Sequence, residues 1–181
     1  GWFVGGALGS QQGEADIDDR GSAFDSSGLM GSLFAGYRCD IWFADVVASA
    51  GETDLDDIER VFELGSVQLR RESGDTEADV IGLSAMLGVN MMGEGSVWRF
   101  GPFLAADYLD IDVDGYEEKA ASSTAMVFGD LGRDSVTGSA GVFASYPLRL
   151  GAAELEFRGD VAYVEEFEED TDDVSAVVKG V

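Results

Sequence analysis

The chain has 181 residues, of which 36 are acidic, 11 are basic and none is histidine, so its formal net charge is −25. A charge of this sign excludes nucleic-acid binding by phosphate neutralisation. The missing histidine excludes histidine-based catalysis and histidine metal ligation within these residues, and the single cysteine, Cys39, excludes an internal disulfide framework and a cysteine-rich zinc site.

Apolar and polar residues alternate with a period of two through most of the chain, which is typical of β-strands. In residues 152–164, for example, Leu155, Phe157 and Val161 share one face, and Glu156 and Arg158 share the other. A hydrophobic content of 45% is too high for a disordered acidic chain. In chain order, the predicted strands are residues 2–9, 27–38, 41–51, 81–92, 96–108, 135–148 and 152–164.

The predicted strands alternate for roughly 10–13 residues, whereas strands of soluble proteins usually have about 5–6. A tilted strand crosses a bilayer with about 9–11 residues. The pattern alone leaves a soluble β-sandwich or lipocalin-like barrel open, but strand length favours an all-β, antiparallel, up-and-down transmembrane β-barrel. Aromatic residues near the ends of the apolar faces are predicted to lie at the membrane interfaces: Tyr37, Trp42, Trp98, Tyr108, Tyr146 and Tyr163.

Small and charged residues occupy the opposite strand faces, which suits a crowded, wet lumen. The arginines of the predicted strands fall on these polar faces. This supports the assignment, because an arginine facing lipid at mid-depth costs ~2–4 kcal/mol. The predicted lumen-facing polar residues are Arg38, Asp45, Arg99, Asp107, Glu154, Glu156, Arg158 and Asp160. We expect them to form a solvated wall with local ion pairs, in contact with whatever chain occupies the lumen.

Short and long connections alternate along the chain, as the periplasmic turns and outer loops of an outer-membrane barrel do. Short turns are predicted at 39–40, 92–95 and 147–151, and long outer loops at 11–26, 52–79 and 109–134. Residues 122–128 are interpreted as a strand-like part of an outer excursion, and 173–181 as the start of an eighth strand. Seven antiparallel crossings cannot close a barrel, so residues 1–181 are predicted to be one domain that lacks some strands.

Several short stretches, in order along nearly the whole chain, resemble the translocator domain of autotransporters, the type V secretion proteins of Gram-negative outer membranes. The similarity is greatest to the subgroup with a GDSL-type esterase or lipase passenger. The matching stretches are VGGALG (4–9), LFAGYR (33–38), DLDDIERVFELG (54–65), GDT (74–76), GPF (101–103), VDGYEEK (113–119), SSTAM (122–126) and EEFEED (165–170).

The resemblance implies an outer-membrane barrel of twelve strands, of which this chain supplies seven to eight, with a helical plug in the lumen. It implies export and anchoring of an N-terminal passenger, and partners that are outer-membrane lipid, the passenger or plug helix, and the barrel-assembly machinery. No nucleic acid and no cofactor are expected. The longest outer loop is predicted to be solvated, with local salt bridges around Arg60 and Arg70–Arg71; a hairpin near the passenger is the alternative.

No catalytic centre is predicted in these residues. The string Gly-Asp-Ser-Leu is absent and no histidine is available as a base, so an esterase triad fails. The acidic run 110–115 imitates a calcium loop, but loop position 12 is Ala121 instead of glutamate. We therefore expect no specific metal site, although crowded acidic loops bind divalent ions weakly.

One other function stays open at this point. A soluble, acidic β-protein that binds a ligand or divalent cations would place Leu83, Leu87, Phe157 and Val161 in its core. The location of the charge argues against it. Thirty acidic and six basic residues fall in 11–26, 52–79, 107–134 and 165–173, so nearly all of the net charge lies at the predicted cell-exterior end.

Overall fold

The computed structural model describes residues 1–18, 21–39, 41–65, 68–91, 97–120, 122–151 and 153–179. Every regular element in these ranges is a β-strand, and they include no helix of the length and apolar character needed to span a membrane. In chain order the strands are β1 (Trp2–Asp16), β2 (Ala23–Arg38), β3 (Trp42–Leu64), β4 (Gln68–Val89), β5 (Arg99–Val113), β6 (Tyr116–Glu117), β7 (Met126–Phe128), β8 (Leu131–Leu150), β9 (Ala153–Thr171) and β10 (Ala176–Val178).

Seven long strands form one antiparallel sheet in the order β1-β2-β3-β4-β5-β8-β9. All seven strands predicted from the alternation are present, and each pairs with the next predicted one. The connections at residues 39–41, 90–98 and 151–152 define what we call the turn end of the sheet, and the opposite end is the loop end. Within the described residues β1 and β9 each pair with one neighbour in this sheet, so the sheet is open.

The sheet curls strongly toward one face. The rings of Phe43 on β3 and Phe143 on β8 lie 5.1 Å apart, centroid to centroid. Two strands separate β3 from β8, so in a flat sheet their backbones would be about 14 Å apart at ~4.8 Å per strand. Curling brings the two rings together. We call the face that carries Phe43 and Phe143 the concave face, and the opposite one the convex face.

The strands are longer at the loop end than the sequence predicts. β3 has 23 residues and β4 has 22, and they pair as a hairpin from Trp42↔Val89 to Leu64↔Gln68. The prediction of a loop at 52–79 is therefore wrong, because the segment is a hairpin; its position near a passenger stays a prediction. One of the expected local salt bridges, Arg71–Glu59, is present. Alternation fades there because neither face of the extended hairpin is uniformly apolar, so side-chain polarity no longer marks the strand even though the backbone ladder continues.

One irregularity interrupts this hairpin. The register of β3 shifts between Leu55 and Ile58, and Asp57 has a positive φ of 49°. Because of the extra residue in β3, its odd-numbered side chains point to the concave face before the bulge and its even-numbered ones after it. β4 has no extra residue, so its even-numbered residues stay on the concave face along the whole strand.

Residues 114–130, which join β5 to β8 and which we call the excursion, contain β6 and β7. The short strands form a separate sheet in the order β10-β7-β6. The interpretation of 122–128 as strand-like, and not as a further crossing, is confirmed for Met126–Phe128; that the excursion is an outer one stays a prediction. Residues 173–179 differ from the expected eighth strand, because Ala176–Val178 pair with β7 instead of β9. Residues 180–181 lie outside the described residues.

Candidate functional site

The floor of the concave face is aromatic. Phe43, Phe103 and Phe143 are buried and form one cluster, with Met86 packed against it. Glycines on neighbouring strands make room for the rings. A Cβ on Gly88 would lie 2.1 Å from Cζ of Phe43, a distance that real contacts do not reach. The strand glycines thus permit the close packing that accompanies the curl.

Arg38 and Asp45 form an ion pair on this face. Two hydrogen bonds of 2.6 and 2.7 Å join the guanidinium to the carboxylate. The same guanidinium lies over the rings of Phe3 and Phe43, with Cζ 5.3 and 5.1 Å from the centroids. A planar cation suits this stacked, bidentate arrangement, which a lysine would not reproduce.

Three more of the predicted lumen residues come together near the turn end. Arg99, Glu156 and Arg158 line a cleft of about 430 Å³, together with Arg38 and Phe143. Arg158 lies over the Phe143 ring at 5.5 Å and also contacts Sδ of Met86 at 3.8 Å. The cleft is therefore a mixed basic and aromatic surface.

The remaining predicted lumen residues are spread out. The concave-face register of β4, β5 and β8 places Asp107 beside Ser84 and Thr137, and Asp160 is opposite Phe143. Both are exposed. The backbone of Glu154 pairs with that of Arg149, but the Glu154 side chain lies outside the described part.

Large apolar side chains cover the convex face and are exposed. They come from all seven long strands, and include Leu8, Leu33, Val46, Leu83, Leu104, Val142 and Val161. Leu83, Leu87, Phe157 and Val161, the core of the soluble alternative, are exposed here, so they form no core. The buried apolar cluster lies on the opposite face.

The predicted interface aromatics lie at two levels. Near the turn end, Trp2 and Tyr37 are in contact at 4.7 Å, and Trp98 and Tyr146 at 4.9 Å, centroid to centroid. Trp42 begins β3 at that same end. Tyr108 and Tyr163 lie farther toward the loop end, and the Tyr108 hydroxyl donates to Asp134 at 3.0 Å.

A second cluster, at the loop end, contains two deeply buried carboxylates. Glu118 of the excursion is 1% exposed and Glu72 of β4 is 2% exposed. Arg60 on β3 donates to both carboxylate oxygens of Glu118 at 2.8 Å, and the backbone N–H of Met126 donates to Glu118 Oε2 at 2.7 Å. A buried charge is tolerated because it is paired and hydrogen-bonded in this way.

Glu72 holds the excursion through two hydroxyls. Ser122 Oγ and Thr124 Oγ1 each donate to Glu72 Oε1 at 2.5 Å. Arg60 contributes a further bond to the carbonyl of Thr124 at 2.9 Å. We call Arg60, Glu72, Glu118, Ser122 and Thr124 the clasp.

The clasp shifts the acid–base properties of its members. The Ser122 and Thr124 hydroxyls lower the pKa of the Glu72 carboxyl by stabilising its ionised form. The hydrogen bond to Glu118 raises the pKa of Arg60. At the edge of the cluster, Lys119 and Asp75 form an exposed ion pair that lowers the pKa of Asp75 and raises that of Lys119.

Sequence reasoning did not select the clasp as a site. A charged residue in a polar segment is normally solvated, and no periodicity marks Glu72 as buried. The one available signal is the resemblance, because Arg60, Glu118, Ser122 and Thr124 all lie in the matching stretches.

Among the described residues of the loop end, acidic side chains come close together at one place. Glu52, Asp54 and Glu77 bring carboxylate oxygens within 4.8 Å of one another, but all three are exposed. The run 110–115 lies largely within β5, and Ala121 lies outside the described residues.

Comparison with known proteins identifies the family. The model of the family described as "Autotransporter beta-domain" matches residues 1–181. A protein of Pseudomonas putida described as an uncharacterized protein in the trpE-trpG intergenic region is 37% identical over 174 residues, which are 96% of this chain and 29% of that protein. Esterase EstA of Pseudomonas aeruginosa and esterase EstA of Pseudomonas putida are each 33% identical over 175 residues, 96% of this chain and 26% of each relative.

The chain thus spans less than a third of the length of these curated relatives. The match over all 181 residues contradicts the soluble ligand-binding alternative, in agreement with the exposure of its supposed core. An autotransporter β-domain is a translocator and not a catalyst. The chain belongs to the autotransporter β-domain family, the membrane-embedded β-barrel translocators of the outer membrane of Gram-negative bacteria.

Proposed function

We propose that the concave face lines the lumen of the translocator and that the convex face contacts lipid. The exposed apolar side chains of the convex face carry this assignment, since Leu33 and Val161 are 72% and 75% exposed. Soluble monomers rarely expose contiguous apolar patches larger than a few hundred Å². Lipid contact removes the cost of exposing such a surface to water.

The two aromatic levels support the proposal by their separation. Trp98 directly precedes β5 and Tyr108 lies within that strand, ten positions later, which is roughly 33 Å at ~3.3 Å per residue. At a tilt of about 40° this gives a vertical distance of ~25 Å, the height of the apolar band of an outer-membrane barrel. The aromatic side chains at both levels would then lie among the lipid headgroups.

We infer that residues 1–181 are one part of a larger closed barrel. Among the described residues, no strand pairs with the outer edges of β1 and β9, and each unpaired backbone group costs several kcal/mol in lipid. Further strands of the whole protein would satisfy them. The greater length of the relatives leaves room for those strands and for other domains.

The passenger of the whole protein is, on this proposal, an esterase. The support is that two of the relatives are named esterase EstA and that this segment has no histidine for a triad of its own. A plug helix connected to that passenger would lie against the arginine-rich cleft of the concave face. Family membership also suggests insertion by the barrel-assembly machinery.

Labelling of two neighbouring positions on β9 tests the face assignment. In the full-length protein with Cys39→Ser, we expect Glu156→Cys to react with a small water-soluble maleimide. A fluorophore attached at Phe157→Cys should be quenched from the lipid phase. The opposite pattern, with position 157 reacting in water and 156 protected, would refute the assignment.

A further inference from the structure

The excursion lies on the concave side of the β3–β4 hairpin. Gly74 and Gly88 are both even-numbered residues of β4, which has no bulge, so they share the concave face. The ring of Tyr116 covers Gly74 so closely that a Cβ there would lie 2.4 Å from the ring. The excursion therefore folds inward, over the face proposed to line the lumen, and not outward.

Backbone pairing and the clasp attach the excursion to the hairpin. The amide of Lys119 donates to the carbonyl of Ser73 at 2.7 Å, and that of Asp114 to the carbonyl of Glu77 at 2.9 Å. The Arg60–Glu118 ion pair adds a contact beside Lys119, and the bonds from Ser122 and Thr124 to Glu72 attach the part that follows.

The residues that follow β9 brace the excursion from its other side. Lys179 donates through its backbone N–H to the carbonyl of Ala125 at 2.7 Å, and its ammonium lies 3.1 Å from the Glu117 carboxylate. Strand β10 pairs with β7. The excursion and the residues that follow β9 thus form one small unit over the hairpin.

Beside the Tyr116 ring on Gly74, mainly polar contacts attach this unit to the hairpin. Among the described residues of the excursion, Ala125 is the one buried apolar side chain. Regions with few buried apolar contacts open at a small fraction of the global unfolding free energy. Release of the excursion breaks two ion pairs, Arg60–Glu118 and Lys119–Asp75, and the hydrogen bonds to β4, while the long strands stay paired.

We propose that the excursion is a lid over the outer mouth of the lumen and that the clasp holds it closed. This proposal rests on the assignment of the concave face to the lumen. The closed lid shields the lumen from the cell exterior. Release of the clasp lets the excursion move away from the hairpin together with the residues that follow β9, while the seven long strands stay paired.

Cysteine accessibility on intact cells tests the lid. The full-length protein carries Cys39→Ser and Ser84→Cys, since Ser84 lies on the concave face beside Asp107. A membrane-impermeant maleimide is added from outside, and the labelling rate is measured with and without Glu72→Gln and Glu118→Gln. We expect faster labelling on the order of tenfold, because a buried, charge-assisted attachment is lost.

Two further variants make the result specific. Glu59→Gln is the matched control, because Glu59 pairs with the exposed Arg71 on the same hairpin, outside the clasp; it should leave the rate unchanged. Ser122→Ala with Thr124→Val removes the hydroxyls but keeps every charge, and is used if the double glutamine variant fails to assemble. It should also speed labelling.

The outcomes separate this proposal from the function proposed above. An unchanged rate in assembled clasp variants, or an equal increase in Glu59→Gln, would overturn the lid. If Ser84→Cys reacts with lipid-phase reagents in place of aqueous ones, the lumen assignment itself is wrong.

Discussion

Glu72 illustrates how much one buried carboxylate depends on its neighbours. Ser122 and Thr124 satisfy one of its oxygens, while within the described residues Oε2 is buried without a hydrogen-bond partner. Arg60 and Arg70 add favourable electrostatic interactions with the charge. The folded protein therefore favours the ionised form of Glu72, mainly through the two hydroxyls of the excursion.

Acid should therefore loosen the excursion. The folded-state pKa of Glu72 lies below its ordinary value of 4.5, so its stabilising effect is complete above about pH 4.5 and is lost as the pH falls through the folded-state pKa. We expect protection of the Lys119 amide, corrected for intrinsic exchange, to be constant from about pH 8 to 5 and to fall below that range. Hydrogen exchange with mass spectrometry checks this.

Glu72→Gln should reduce that acid sensitivity but not abolish it. The pair with Lys119 also lowers the pKa of Asp75. Protonation of Asp75 in acid should therefore loosen the excursion as well. Asp75→Asn in the Glu72→Gln background should flatten the profile further. Unaltered acid sensitivity in the double variant would assign the effect to other carboxylates of the loop end.

At the scale of single elements, curl and close packing depend on strand glycines. The hydrophobic alternation predicted where each strand lies and which residues share a face, since both follow from the two-residue repeat of the pleat. It did not predict which glycines face an aromatic ring. That depends on cross-strand register, such as Phe43 opposite Gly88.

Gly88→Ala should destabilise the sheet because the new methyl group collides with the Phe43 ring. Overpacking of this kind typically costs about 1–3 kcal/mol. The matched control is Gly9→Ala, where a Cβ would have no heavy atom within 4 Å, and it should be nearly neutral. Urea unfolding of the refolded barrel in lipid, followed by tryptophan fluorescence, measures the difference. Equal effects of the two changes would contradict the packing argument.

At the scale of the whole molecule, the two faces and the two ends differ in chemistry. The convex face is apolar, the concave face is polar over an aromatic floor, and the acidic stretches lie at the loop end or in the extensions that lead to it. A membrane imposes such a division because its apolar layer borders water at two levels. A soluble acidic protein has no reason to confine its charge to one end.

Two valines on β9 give a matched test of this division. Val161 is on the convex face and 75% exposed, and Val164 is on the concave face and 60% exposed. Val161 is two positions from Tyr163, so Val161→Arg should cost less than the ~2–4 kcal/mol of a mid-depth position, but clearly more than Val164→Arg, whose side chain faces the concave side. Urea titration of folding into lipid vesicles, read by heat-modifiable gel mobility, compares them. A larger penalty at Val164 would reverse the assignment of the faces.

The sequence by itself determined the strand class, the seven long strands and their order, and the residues on each face, because backbone geometry translates period-two alternation directly into opposite sides of a sheet. The clasp, the full length of the hairpin and the pairing of β10 with β7 required the tertiary structure. Arg60 and Glu118 lie 58 positions apart, and in a segment without a uniformly apolar face no local pattern records which polar groups meet. Only the inward fold of the excursion brings them together, and burial then turns ordinary surface residues into the attachment of the proposed lid.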